Sequence, residues 1–186
     1  ALSELVKDLS LSLIDRIESY EDIINLEVGD TSLTRARNFE RELNIRQLLL
    51  KFKAGNPSGT QKDRIAFAQC LDALRRDYNT ITLATCGNYG ASVALAANLA
   101  ALRCIIFIPE NYHTRRVQEM QQYGAEILRV KGDYENAVMV SREQAELLLE
   151  GDRLRVRCLE RARNPAFVGG RPVRDFVIMP GQAFRL

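Results

Sequence analysis

Between residues 63 and 130 the sequence alternates helix-length and strand-length segments, and this alternation restricts the possible folds more than any other feature. "DRIAFAQCLDALRRD" places Ile65, Ala68, Cys70, Leu71 and Leu74 at near-helical spacing, and "TITLATC" after it is a short, β-branched strand. "NYGASVALAANLAAL" is rich in alanine and suits a buried helix, while "CIIFIPE" is a continuous apolar strand of the kind covered on both faces. The helix "TRRVQEMQQYG", the strand "AEILRV" and the helix "DYENAVMVSREQAELLLEG" complete the series. Strands separated by single helices imply right-handed βαβ units. The expected fold is α/β: a three-layer open parallel sheet with helices on both faces, built from successive βαβ units.

The flanks are less regular. A helix is expected over residues 3–20, a turn at Gly29 and Asp30, and a strand over "RQLLLKFKA", residues 46–54, which ends at the turn Gly55 to Gly59. After Gly151, "DRLRVRCLERARNP" reads as a strand and turn or as a short helix, and "RDFVIMPG" as a further buried strand. No repeat, low-complexity tract or linker interrupts the chain.

Composition narrows the function classes. At 186 residues and 46% apolar content, the chain is long enough to bury about 70% of its unfolded surface. Twenty-six Lys and Arg against 24 Asp and Glu leave a formal charge of +2, which gives no electrostatic case for nucleic acid or an anionic membrane. The amphipathic, acid-bearing N-terminal stretch is unlike a signal peptide, and no apolar run approaches the roughly 20 residues that span a bilayer. A cytoplasmic protein with a small-molecule partner is expected. Cys70, Cys86, Cys104 and Cys158 form no CxxC pair, and His113 is the sole histidine. Neither a metal cluster nor a Ser-His or Cys-His pair is expected, so chemistry must come from lysine, carboxylates or a cofactor.

Two strand-to-helix turns carry candidate chemistry. "NPSGTQKDR", residues 56–64, leads into a helix expected to start near Thr60, which would set Lys62 at the carboxyl edge of the sheet, where open α/β sheets bind ligands. The helix dipole, partial burial and Arg64 would all disfavour the ammonium form and leave a nucleophilic amine suited to Schiff-base chemistry. A solvated lysine after a type I turn is the alternative. "TCGNYGAS", residues 85–92, again follows a strand and opens a helix. Gly87 and Gly90 permit close backbone approach, the first-turn N–H groups can receive an anion such as a carboxylate, and Asn88 adds a neutral donor. The alternative is a helix start with Asn88 as its cap.

"GDTSLTRARN", "GNPSGTQKDR", "TCGNYGASVALAA", "CIIFIPE" and "MQQYGAEILRVKGDYENAV" occur in the order and spacing of the fold-type II pyridoxal-phosphate enzymes. That group, also described as tryptophan synthase beta-like, holds threonine synthase, cysteine synthase and serine/threonine dehydratase. The resemblance covers roughly residues 25–145 and is strongest to threonine synthase. It implies pyridoxal 5'-phosphate as cofactor and Lys62 as the catalytic lysine that holds it covalently and later moves protons. It implies Asn88 as the hydrogen-bond donor to the cofactor's phenolate oxygen, and Thr85, Cys86, Gly87, Asn88 and Tyr89 as the loop that grips the substrate α-carboxylate. The implied activity is a lyase-type elimination or replacement at the β or γ carbon of an amino acid, such as conversion of O-phosphohomoserine to threonine. Cysteine synthase or serine/threonine dehydratase activity, and a catalytically inactive relative serving as a binding module, are the alternatives. A homodimer is implied as well.

By the same resemblance residues 1–85 form the N-terminal part of the cofactor domain, 86–160 a small mobile α/β domain, and 161–186 a truncated return to the large domain. The glycine-rich phosphate loop and the partner of the pyridine nitrogen are not found, and the chain is expected to end just short of them. "VGGRPVR", residues 168–174, could cradle phosphate but reads more simply as a solvated turn. Gln61 and Cys86 depart from the residues common at their positions, which bears on substrate rather than reaction class. His113 and the pair Arg115 and Arg116 read as surface residues, and Cys86 as a small packing residue with a thiolate role as the alternative. A Rossmann nucleotide site is disfavoured because no GxGxxG follows a strand.

Overall fold

The computed structural model describes residues 1–85, 87–143, 146–150, 153–157, 166–168, 171–173 and 175–178, with side chains described up to Ser141. The chain divides into two compact units. The first comprises residues 1–81, 87–104 and 115–126, and the second residues 82–86, 105–114 and 127–186.

The expected first helix is two helices, α1 (Leu2–Lys7) and α2 (Leu13–Glu27). The interruption has a local cause. Asp8 accepts from the Ser10 N–H at 2.9 Å and from the Ser10 hydroxyl at 2.6 Å, which folds the chain into a turn. Ser12 then caps α2, accepting from the Asp15 N–H at 3.2 Å while its own hydroxyl donates to the Asp15 carboxylate at 2.7 Å.

Strand β1 (Leu33–Arg35), helix α3 (Arg37–Leu43) and strand β2 (Leu49–Lys51) follow, with β1 and β2 antiparallel in the register Thr34 to Leu50. The strand expected over 46–54 is therefore shorter than its apolar pattern suggests, because Lys53–Gly55 turn into a single 3-10 turn. Both strands are exposed along their length, and Leu33, Leu49, Leu50 and Phe52 all face solvent.

Helix α4 (Asp63–Arg75), strand β3 (Thr80–Ala84), helix α5 (Asn88–Leu99), strand β4 (Arg103–Pro109), helix α6 (Arg115–Gln122) and strand β5 (Glu126–Val130) realise the expected alternation. The strands form one sheet in the order β3-β4-β5. Its pairing is parallel, since partners advance together along the chain. The Arg103 N–H donates to the Asn79 carbonyl at 2.8 Å, and further along the Thr85 N–H donates to the Phe107 carbonyl at 3.2 Å. The fold is α/β with a parallel sheet flanked by helices.

In the first unit α5 packs against α4 and α6, and α2 packs against α1 and α4. Ala91, Ala94, Ala96 and Ala97 are fully buried, and their short side chains let neighbouring helices approach α5. Tyr20 stacks on Phe67 with ring centroids 5.9 Å apart and planes 11° from parallel. In the second unit Ile105, Ile106, Phe107 and Ile108 on β4 are buried, as the unbroken apolar run requires. No helix among the described residues is long and apolar enough to cross a membrane.

Helix α7 (Tyr134–Glu143) stops before the expected end at Gly151, and Glu146–Glu150 form strand β6 instead. Strand β7 (Arg153–Arg157) pairs antiparallel with it, Glu150 opposite Arg153. The leucines of β6 are compatible with a helix, and pairing with β7 makes them a strand instead. Strands β8 (Ala166–Val168) and β9 (Arg171–Val173) form a second antiparallel pair, and β10 (Asp175–Ile178) pairs antiparallel with β7. Within segment 168–174, Val168 and Arg171–Val173 are strand, while Gly169, Gly170 and Arg174 lie outside the described residues.

Candidate active site

The turn 56–59 sets up the start of α4. The Gly59 N–H donates to the Asn56 carbonyl at 2.8 Å, and Gly59 adopts φ 78°, a conformation that glycine takes without strain. Buried Asn56 anchors this turn, its amide donating to the Lys53 carbonyl at 2.7 Å and its oxygen accepting from the Gly29 N–H at 3.0 Å. The helix begins at Asp63 rather than near Thr60, and Lys62 is its N-cap residue. The Thr60 hydroxyl accepts the Lys62 N–H at 3.0 Å, a local bond that replaces the helical one.

Lys62 is exposed, which corrects the expected partial burial. The first inward side chain of α4 is Asp63, and the neighbouring position turns outward. Arg64, expected to act as a neighbouring cation, is held elsewhere by its guanidinium, which donates to the Gly29 carbonyl at 2.5 Å. Among the described residues the Lys62 amine has no ion pair and no hydrogen-bond partner, so it is accessible to a carbonyl group.

Gly87 is the N-cap of α5, and Asn88 is its first residue rather than its cap. A Cβ added at Gly87 would meet nothing within 4 Å, so approach to the helix end is open. The first-turn N–H groups of any helix lack partners within it and attract negative charge. Asn88 is exposed, and among the described residues its amide is unpaired. The Tyr89 phenol donates to the Gln69 amide oxygen on α4, and burial raises its pKa. Thr85, at the end of β3, is buried, and Cys86 lies outside the described residues.

Lys62 and the segment Gly87, Asn88, Tyr89 thus belong to the first unit, at the N-terminal ends of two helices in contact. Thr85 belongs to the second unit. The sequence reading missed the polar groups that join these helix ends. Asp63 and Ser92 are fully buried and Thr60 is 7% exposed. Asp63 accepts from the Ser58 N–H at 2.7 Å and from the Ser58 hydroxyl, and the Ser58 and Ser92 hydroxyls meet at 2.9 Å. Ser92, polar on the buried face of an alanine-rich helix, was the available signal, since such a group needs a partner.

An α/β fold with a lysine and an amide at the starts of contacting helices, neither paired among the described residues, offers an amine and a hydrogen-bond donor to a ligand. Residues 24–170 match the family of pyridoxal-phosphate dependent enzymes, and the chain belongs to that family. It is 31% identical over 125 residues to a threonine synthase of Halalkalibacterium halodurans, a match covering 67% of this chain and 35% of that protein. It is 36% identical over 110 residues to a cysteine synthase B of Pseudomonas syringae pv. syringae, covering 57% of this chain and 64% of that protein. The structure of maize serine racemase superposes with a TM-score of 0.58 and 25% identity, covering 69% of this chain and 39% of that one. The chain therefore spans about a third of the length of the threonine synthase that it matches.

The donor set fits pyridoxal phosphate in part: the accessible Lys62 amine suits its aldehyde, and the free Asn88 amide suits its ring oxygen. No group for its phosphate is identified among the described residues.

Proposed function

We propose that Lys62 anchors pyridoxal phosphate and that the protein acts in elimination or replacement at the β or γ carbon of an amino acid. The observation that carries this reading is the placement of Lys62 and Asn88 at the N-terminal ends of α4 and α5, two helices in contact within one unit. When bound, the cofactor supplies an electron sink for charge developed on the substrate's α carbon. Lys62 would supply the amine that holds the cofactor, and its Nζ would carry a proton to or from the substrate. The Asn88 amide donates to the cofactor ring oxygen. The first-turn N–H groups of α5, at Gly87 and Asn88, receive the substrate carboxylate.

Within this class the reading is threonine synthase-like, with O-phosphohomoserine as substrate, in a cytoplasmic homodimer. The identity to a cysteine synthase B favours a second reading, replacement at the β carbon of a serine derivative. The discriminating assay incubates the protein and cofactor with O-phosphohomoserine, serine and threonine, and follows phosphate, oxo-acid and thiol-adduct formation. Phosphate release with threonine formation supports the first reading. Thiol-dependent replacement or oxo-acid release alone replaces it. Turnover undiminished in Lys62→Ala would contradict both.

A further inference from the structure

We infer that Ser92 is a positioning residue that fixes Lys62 relative to Asn88, through a hydrogen-bond chain with a single possible direction. This rests on the reading of Lys62 as the cofactor-anchoring lysine. The ends of the chain set its direction. At one end the Lys62 backbone N–H can only donate, and it donates to the Thr60 hydroxyl at 3.0 Å. At the other end the Asp63 carboxylate accepts the Ser58 hydroxyl proton, and its second oxygen accepts the Ser58 N–H at 2.7 Å.

Each hydroxyl carries one proton. Because Ser58 gives its proton to Asp63, it can only accept from Ser92, 2.9 Å away. Ser92 has then spent its proton and can only accept from Thr60, 3.4 Å away. The order is therefore Lys62 N–H to Thr60, Thr60 to Ser92, Ser92 to Ser58, and Ser58 to Asp63. A chain polarised in one direction strengthens each of its bonds. It starts at Thr60 in the turn before α4, crosses to α5 at Ser92, and returns through Ser58 to Asp63 at the start of α4.

Ser92 lies four residues after Asn88, on the same face of α5. The device thus ties the residue carrying the amine to the helix carrying the amide donor. Thr60, Ser92 and Asp63 are buried, so water cannot replace the hydroxyl of Thr60 or Ser92 cheaply.

The test compares Ser92→Ala, Thr60→Val and Thr60→Ser with the wild type. Without cofactor, the Lys62 amide should exchange about five- to tenfold faster in Ser92→Ala and Thr60→Val, the effect of losing one hydrogen bond. The Val28 amide, bonded to Ile24 at 2.9 Å in the same unit, should keep its rate. Thr60→Ser, which retains the hydroxyl, should match the wild type. With pyridoxal phosphate, borohydride-trapped label should form on Lys62 in every variant, about tenfold more slowly in the two lacking a hydroxyl. Wild-type label on another lysine would overturn the reading of Lys62 itself. Label on Lys62 with unchanged exchange and trapping rates in Ser92→Ala would overturn the positioning role alone, as would Thr60→Ser behaving like Thr60→Val.

Discussion

The Tyr20 hydroxyl donates to the Ala96 carbonyl at 3.0 Å, joining α2 to the middle of α5. That carbonyl also accepts the Ala100 N–H at 3.0 Å, so removing the phenol oxygen leaves it partnered. Tyr20→Phe should therefore cost only about 1 kcal/mol, the net value of one hydrogen bond. Tyr20→Ala also loses the stack on Phe67 and opens a cavity, which costs about 3–5 kcal/mol. Urea denaturation of both variants measures the difference, and equal losses would contradict this account.

Cys70 and Cys104 are free and buried. Burial pushes both thiols from 9.0 up to about 12, with Cys104 adding to the shift at Cys70 and Glu126 to that at Cys104. A raised pKa means that the folded state keeps a proton the unfolded chain has lost. Stability from these groups is complete below pH 9.0 and falls between 9.0 and about 12. Each thiol should add to the loss of stability as pH rises through that window. Denaturation between pH 8 and pH 10 should show the decline, and Cys70→Ala should make it shallower; an equal slope in the variant would contradict the assignment.

Much of the fold was legible because it rests on local pattern. The alanine run of α5 and the apolar run of β4 each admit one reading, and both elements form where expected. The breaks were less legible. Asp8 and Ser10 end a helix through side-chain bonds that periodicity does not register, and the leucines of β6 suit either a helix or a strand until their antiparallel pairing with β7 decides it. The Lys62 and Asn88 turns were visible as motifs, but the network joining them spans 34 residues between Ser58 and Ser92, beyond the reach of any local pattern.

Glu40 holds the β1 to β2 connection. Arg35 donates to its carboxylate at 2.8 Å, and the Leu48 N–H reaches the same oxygen at 2.8 Å. The Arg35 bond, followed by the Leu48 bond, holds its pKa below the usual 4.5. Because the folded value is depressed, the stabilisation is present above pH 4.5 and disappears as pH falls through the folded value. Glu40→Gln should be less stable than the wild type at pH 6 and nearly equal to it at strongly acid pH. A gap that stays constant with pH would rule out this contribution.

Gly59 has φ 78° and nothing within 4 Å of where a Cβ would stand, so Gly59→Ala meets backbone strain without a clash. The cost should be about 1–2 kcal/mol. Because this turn leads into Lys62, the variant should also slow cofactor trapping, and a thermal melt run beside a trapping assay reads both effects. A variant as stable as the wild type would show that the turn relaxes.

Whether Lys62 holds the cofactor is open to one decisive experiment. The most direct measurement incubates the protein with pyridoxal phosphate, reduces it with borohydride and maps the modified peptide by mass spectrometry. A single pyridoxyl adduct on Lys62, absent in Lys62→Ala, is the expected result; label carried reproducibly by Lys51, Lys53 or Lys131 instead would contradict it.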